Sequence, residues 1–180
     1  MKIFYGKAVY DNKEISAANA VLKKKSLTLI DGPSVKTLEK KISKLFGKKY
    51  GLMVNSGSSA NLLGLASLGL KKGSEIITPT LTFSTTVAPI YQLGLIPHFI
   101  DVEDKTFTAK IDQITKAINK KTKAIMIPNL LGNVPDWKKI FILAKKNKLR
   151  IIEDSADTIG YRLNKKKLGN YSDITTNSMY

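Results

Sequence analysis

The run Ala124-Ile125-Met126-Ile127 is apolar at every position, and that feature rules out most ways of folding the chain around it. A strand with one wet face alternates polar and apolar residues, whereas an unbroken apolar strand must be covered on both faces. The same holds for Ile151-Ile152, which leads into Glu153-Asp154. From residue 51 onward such segments alternate with helical ones. Strands are predicted at Gly51 to Val54, Glu75 to Thr78, Ile96 to Val102, Ala124 to Pro128, Arg150 to Asp154 and Asp173 to Ser178. Helices are predicted at Ser59 to Leu68, Thr85 to Leu93, Ile111 to Ile118 and Asp136 to Asn147, the second starting near Thr85 or Thr86 because Pro89 is tolerable only within the first turn or as a kink. That order implies an α/β fold of three layers, α/β/α, with a mostly parallel sheet. Residues 1–50 read as a helical segment, with amphipathic helices at Glu14 to Lys25 and Ser34 to Phe46, and residues 51–180 as the sheet domain.

In such sheets ligands gather beyond the carboxyl ends of the strands, and the polar residues of this chain cluster there. The segment Val54-Asn55-Ser56-Gly57-Ser58-Ser59-Ala60-Asn61 supplies a strand end, a small-residue turn and a helix start. The first amides of a helix lack intrahelical partners and, with the helix dipole, favour an anion such as a phosphate. Ser58 or Ser59 as an ordinary N-cap explains the same string without a ligand.

Composition narrows the chemistry. There is no Cys and one His, His98, which excludes disulfides and a thiol nucleophile and leaves little for a metal site. No apolar run reaches membrane-spanning length, and Met1 to Lys7 lacks a signal-peptide core, so the expected location is cytoplasmic with no membrane partner. The net charge of +16 invites a nucleic-acid reading. Against it, Arg occurs only at 150 and 162, and the Lys residues are spread through many segments, as on solvated helix faces. No nucleic-acid partner is expected; the charge suits an anionic small substrate.

Several residues carry two readings. Asp154, at the mouth of a buried strand, either caps a turn or pairs with a cationic ring nitrogen. Phe83 is either core or a stacking ring. Asn129, Asn133 and Asp157 fit turn and capping roles, Glu153 and His98 fit structural ones, and Trp137 and Phe141 fit the core.

Taken in order, Gly32-Pro33-Ser34-Val35 with Leu38-Glu39, Asn55-Ser56-Gly57-Ser58-Ser59-Ala60-Asn61, Thr82-Phe83, Asp101-Val102, Gly132-Asn133 and Glu153-Asp154-Ser155-Ala156-Asp157 resemble the amino-terminal part of the DegT/StrS-type sugar aminotransferases. These are fold type I enzymes that use pyridoxal 5'-phosphate on nucleotide-linked keto sugars in deoxysugar and surface-polysaccharide synthesis. The resemblance implies that Gly57 and Ser58 bind the cofactor phosphate, with Ser178 contacting it as well. Phe83 would stack on the pyridine, Asp154 would keep its nitrogen protonated, and Asp157 would lie near the ring oxygen, where the family usually has Gln or His. Glu-Asp-x-x-Asp, Phe83-Ser84-Thr85-Thr86-Val87 and Leu131-Gly132-Asn133 look more like the branch that removes the 3-hydroxyl of 4-keto-6-deoxy sugars, in which His replaces the Schiff-base Lys.

By the family's spacing that Lys or His falls three residues beyond Tyr180, so no catalytic residue is expected within the chain, which would be an inactive fragment without covalent cofactor. The resemblance further implies a homodimeric full-length protein, and a seven-stranded sheet whose last strand runs antiparallel between the first and sixth. A gap or distortion is therefore expected beside the Gly51 to Val54 strand. The alternative from a different class is a non-catalytic module that binds nucleotide sugars or nucleic acid.

Overall fold

The computed structural model describes residues 7–24, 29–163 and 165–179. Lys25 of the first expected helix and the start of the Met1 to Lys7 segment lie outside them. The chain divides into two compact units, Met1–Thr37 and Leu38–Tyr180. The division falls within the second helix rather than at residue 50, because Glu39, Ser43 and Phe46 of that helix and Lys48 after it contact or bond to the larger unit.

The first unit contains helix α1 (Asn12–Lys23), which opens on a capping box: Asp11 accepts from Lys13 N–H, and Glu14 accepts from Asp11 N–H at 2.8 Å. Helix α2 (Pro33–Phe46) starts on a proline, whose missing N–H costs nothing at a first helical position.

In the larger unit, strands β1 (Glu75–Pro79), β2 (Ile96–Ile100), β3 (Thr122–Pro128), β4 (Arg150–Ser155) and β7 (Ile174–Asn177) form one sheet in the order β2-β1-β3-β4-β7, with every pair parallel. A short antiparallel pair, β5 (Arg162–Leu163) and β6 (Lys166–Lys167), precedes β7. Helices α3 (Gly57–Ala66), α4 (Ser84–Gln92), α5 (Ile111–Ala117) and α6 (Trp137–Lys146) alternate with the strands.

Neighbouring strand residues enter two different cores, as a doubly covered sheet requires. Ile76, Ala124, Met126 and Ile152 pack with Leu65 of α3 and Ile90 of α4. Ile77, Ile125, Ile127 and Ile151 pack with Ile114 of α5 and Trp137 and Ile140 of α6. The three-layer α/β/α expectation holds.

The segment 51–54 is not a strand. It has no regular secondary structure and no strand partner among the described residues, with Leu52 72% exposed, and it lies against α2 instead. Met53 N–H donates to Glu39 Oε1 at 2.8 Å, and a Cβ on Gly51 would stand 2.6 Å from the Glu39 carbonyl oxygen. Sheet pairing needs a neighbouring backbone edge, and among the described residues β7 is paired with β4 alone. A groove of about 980 Å³ is lined by Leu52, Met53, Val54, Leu63, Ile174 and Thr175 among others.

Pro89 sits in the second turn of α4, which begins at Ser84, not in the first turn. Its ring removes the N–H that would bond the Thr85 carbonyl. Asn61 Nδ2 donates to that carbonyl at 3.2 Å instead.

Candidate functional site

The carboxyl ends of the strands and the start of α3 build the site. Ser56, not Ser58 or Ser59, is the N-cap of α3: its backbone is extended and its Oγ accepts from Ser59 N–H at 3.1 Å. Ala60 N–H makes the first helical bond, to the Ser56 carbonyl. The Gly57 and Ser58 N–H groups precede that bond and remain available to a ligand. A Cβ on Gly57 would come 3.2 Å from Ser178 Cβ and 3.5 Å from its Oγ, so the structure brings Ser178 onto the helix start. Gly57 and Ser178 both line the groove.

Asp154 is buried, and three donors converge on it. Oδ2 accepts from Asn61 Nδ2 and Thr86 Oγ1, each at 2.8 Å, and Oδ1 accepts from Ala156 N–H at 3.1 Å. None of the ion pairs among the described residues includes it. With three donors and no ion-pair partner among the described residues, this carboxylate can accommodate a cationic ligand as well as serve a structural role.

Phe83 is 70% exposed at the start of α4, which ends its reading as a core residue. Asp157 is exposed, and its carboxylate accepts from Leu131 N–H at 2.9 Å. There it holds the turn Leu130–Gly132, in which Leu131 has a φ of 55°.

Glu153, on the other side of β4, is fully buried with a structural role. Its Oε1 accepts from Asn129 and Ser155, and its Oε2 from Ser172 and Thr175. Trp137 Nε1 donates to Asn129 Oδ1 at 2.7 Å. Lys48 Nζ donates to the Gly169 and Ser172 carbonyls and to Ser172 Oγ. Burial pushes the Lys48 ammonium below its ordinary pKa, against the pull of Glu153 and Asp173. His98 is a strand residue, 3.4 Å from Glu75.

Sequence reasoning missed Asn61, Thr86 and Thr176. The available signal was a buried amide within the apolar run of α3, Asn61 beside Leu62-Leu63. Among the described residues no group of three or more His, Asp or Glu could hold a metal ion, and no helix is long and apolar enough to cross a membrane.

The sequence profile of the DegT/DnrJ/EryC1/StrS aminotransferase family matches residues 9–180. A GDP-4-keto-6-deoxy-D-mannose 3-dehydratase of Yersinia pseudotuberculosis is 38% identical over 179 residues, 96% of this chain and 45% of the relative. A GDP-perosamine synthase of Vibrio cholerae is 32% identical over 83% of this chain and 41% of its own length. The solved structure of an E. coli GDP-4-keto-6-deoxy-D-mannose-3-dehydratase with bound hydrated PLP is 37% identical, with a TM-score of 0.83 over 89% of this chain and 42% of that one. The chain thus spans less than half the length of these relatives.

Proposed function

The chain belongs to the DegT/DnrJ/EryC1/StrS aminotransferase family, and from that premise we propose that it is the amino-terminal part of a pyridoxal-phosphate enzyme acting on nucleotide-linked 4-keto-6-deoxy sugars. The observation that carries the proposal is Asp154, a buried carboxylate with three donors and, among the described residues, no ion-pair partner. A protonated pyridine nitrogen is the cation that such a group accommodates. The contact between Gly57 and Ser178 at the open start of α3 suits a phosphate, and the exposed ring of Phe83 suits a planar ligand.

Pyridoxal phosphate, when bound, supplies an electron sink. The residues of this chain would bind and orient it: Gly57, Ser58 and Ser178 at the phosphate, Phe83 over the ring, and Asp154 holding the proton on the ring nitrogen. Asp157 would act from the neighbouring turn it holds. Dehydration of the sugar is preferred over transamination, because the Glu-Asp-x-x-Asp and Leu131-Gly132-Asn133 patterns of the dehydratase branch accompany the 38% identity to a 3-dehydratase. The reading carries a homodimeric, cytoplasmic enzyme as its corollary, with exposed Tyr50 and Leu52 offering apolar surface to the rest of the protein or to a second subunit.

Pyridoxamine 5'-phosphate tests the proposal, since it lacks the aldehyde that would react with the many Lys side chains. Saturable binding is expected, weakened by about ten- to a hundredfold in Asp154→Asn, the loss associated with a hydrogen bond to a charged group. Equal binding by both proteins refutes the assignment. Tight, steeply salt-dependent binding of duplex DNA in place of the cofactor supports the nucleic-acid module. In the gene, His three codons beyond Tyr180 favours dehydration, and Lys favours transamination.

A further inference from the structure

We propose that Asn61 and Thr86 are positioning residues that present one chosen oxygen of Asp154, Oδ1, to the ring nitrogen of the cofactor. The inference rests on the reading of Asp154 given above. A carboxylate oxygen offers about two lone-pair directions. Oδ2 has both taken, by Asn61 Nδ2 and Thr86 Oγ1 at 2.8 Å each, whereas Oδ1 has one donor, Ala156 N–H at 3.1 Å. A further N–H donor therefore finds its place on Oδ1.

The two donors are themselves held in direction. Thr176 Oγ1 donates to Asn61 Oδ1 at 2.6 Å, which turns the amide so that its N–H₂ faces Asp154. The second proton of that group goes to the Thr85 carbonyl, the acceptor freed by Pro89. Thr82 Oγ1 donates to Thr86 Oγ1 at 2.9 Å, so the single Thr86 proton is directed to Asp154. Asn61, Thr86 and Thr176 are buried, out of reach of competing water. They come from α3, α4 and β7, so three elements fix one rotamer on β4.

The test uses pyridoxamine 5'-phosphate labelled with ¹⁵N in the ring, read by its affinity and by the ¹⁵N shift of the bound ring nitrogen. The shift reports whether that nitrogen is protonated, which a purely structural role would not move. Thr86→Val and Asn61→Leu are expected to weaken binding about tenfold and to move the shift toward the unprotonated value, while Thr86→Ser retains both. Thr82→Val changes a half-buried residue and leaves the core intact; it should give a smaller displacement in the same direction. Circular dichroism shows that each variant is folded. A shift that Asp154→Asn leaves unmoved overturns the site reading and the proposal with it. A shift that Asp154→Asn moves, but that Thr86→Val, Asn61→Leu and Thr82→Val all leave in place, overturns the clamp alone.

Discussion

Replacing Glu153 with Gln should destabilise the larger unit strongly, although the change is nearly isosteric. Glu153 is fully buried and accepts four hydrogen bonds, two on each oxygen, with donors between 2.7 and 3.2 Å away. The amide nitrogen of Gln must face one of those donor pairs. Asn129 cannot reverse and keeps the amide oxygen, so the amide nitrogen faces Ser172 and Thr175, whose hydroxyls must turn to accept; two charge-assisted bonds become neutral ones, at about 1–2 kcal/mol each. The change also withdraws the negative charge that Lys48 senses through Ser172. The expected loss is about 2–4 kcal/mol, a fall of roughly 1–2 M in the urea midpoint at a slope of about 2 kcal/mol/M. Trp137, the only Trp and fully buried, reports the transition by fluorescence.

Lys48→Met should cost less when Gln already stands at 153, with a coupling of about 1 kcal/mol or more. The folded-state pKa of Lys48 lies below its ordinary 10.5, so in that interval the unfolded chain binds more protons and stability rises with pH. Lys48→Met should abolish that rise. A loss under about 1 kcal/mol in Glu153→Gln, or additivity of the two substitutions within about 0.5 kcal/mol, would refute the reasoning.

Glu75 is held below the usual carboxylate range first by Asn119 Nδ2, 2.6 Å away, and then by His98. Its contribution is therefore present above pH 4.5 and disappears as pH falls through the lowered value. Melting curves of Glu75→Gln and the unaltered chain should differ most near neutrality and converge in acid, and a pH-independent difference would contradict the assignment. In Gly57→Ala the new methyl meets Ser178 Cβ at 3.2 Å. Pyridoxamine phosphate affinity should fall by about 1 kcal/mol, roughly fivefold, with thermal stability unchanged or raised, because Ala is the better helix former; unchanged affinity would remove Ser178 from the phosphate site.

The layered sheet was legible because parallel strands bury both faces. Ala124 to Ile127 could only be divided between two cores, and they are. The same logic misread residues 51–54. An apolar run signals a strand only where a backbone edge stands beside it, and no side-chain pattern records that edge; Gly51 and Glu39 Oε1 bring the segment to α2. The helix start was legible as a region but not as a residue, since Ser56, Ser58 and Ser59 are alike in composition and the extended backbone at 56 selects the cap. Asp154 stood out at its strand mouth. The groups that hold it lie 93 and 68 residues earlier in the chain and become neighbours only on folding.

That separation bears on how the site keeps its geometry. Gly57 and Asn61 are four residues apart on α3, about 6 Å along its axis, so one rigid element carries both the proposed phosphate end and the amide that donates to Asp154. The bonds Thr176 to Asn61 and Asn61 to Asp154 tie that helix to β7 and β4. Any displacement of α3 along its axis would therefore shift the proposed phosphate end relative to Asp154 on β4 and strain the Asn61–Asp154 bond. On its groove side the same helix presents Ala60, Leu63 and Gly64. Substitutions that repack this face should alter cofactor affinity without touching a cofactor-binding residue, because the helix transmits a shift at Leu63 to Asn61 as a rigid body.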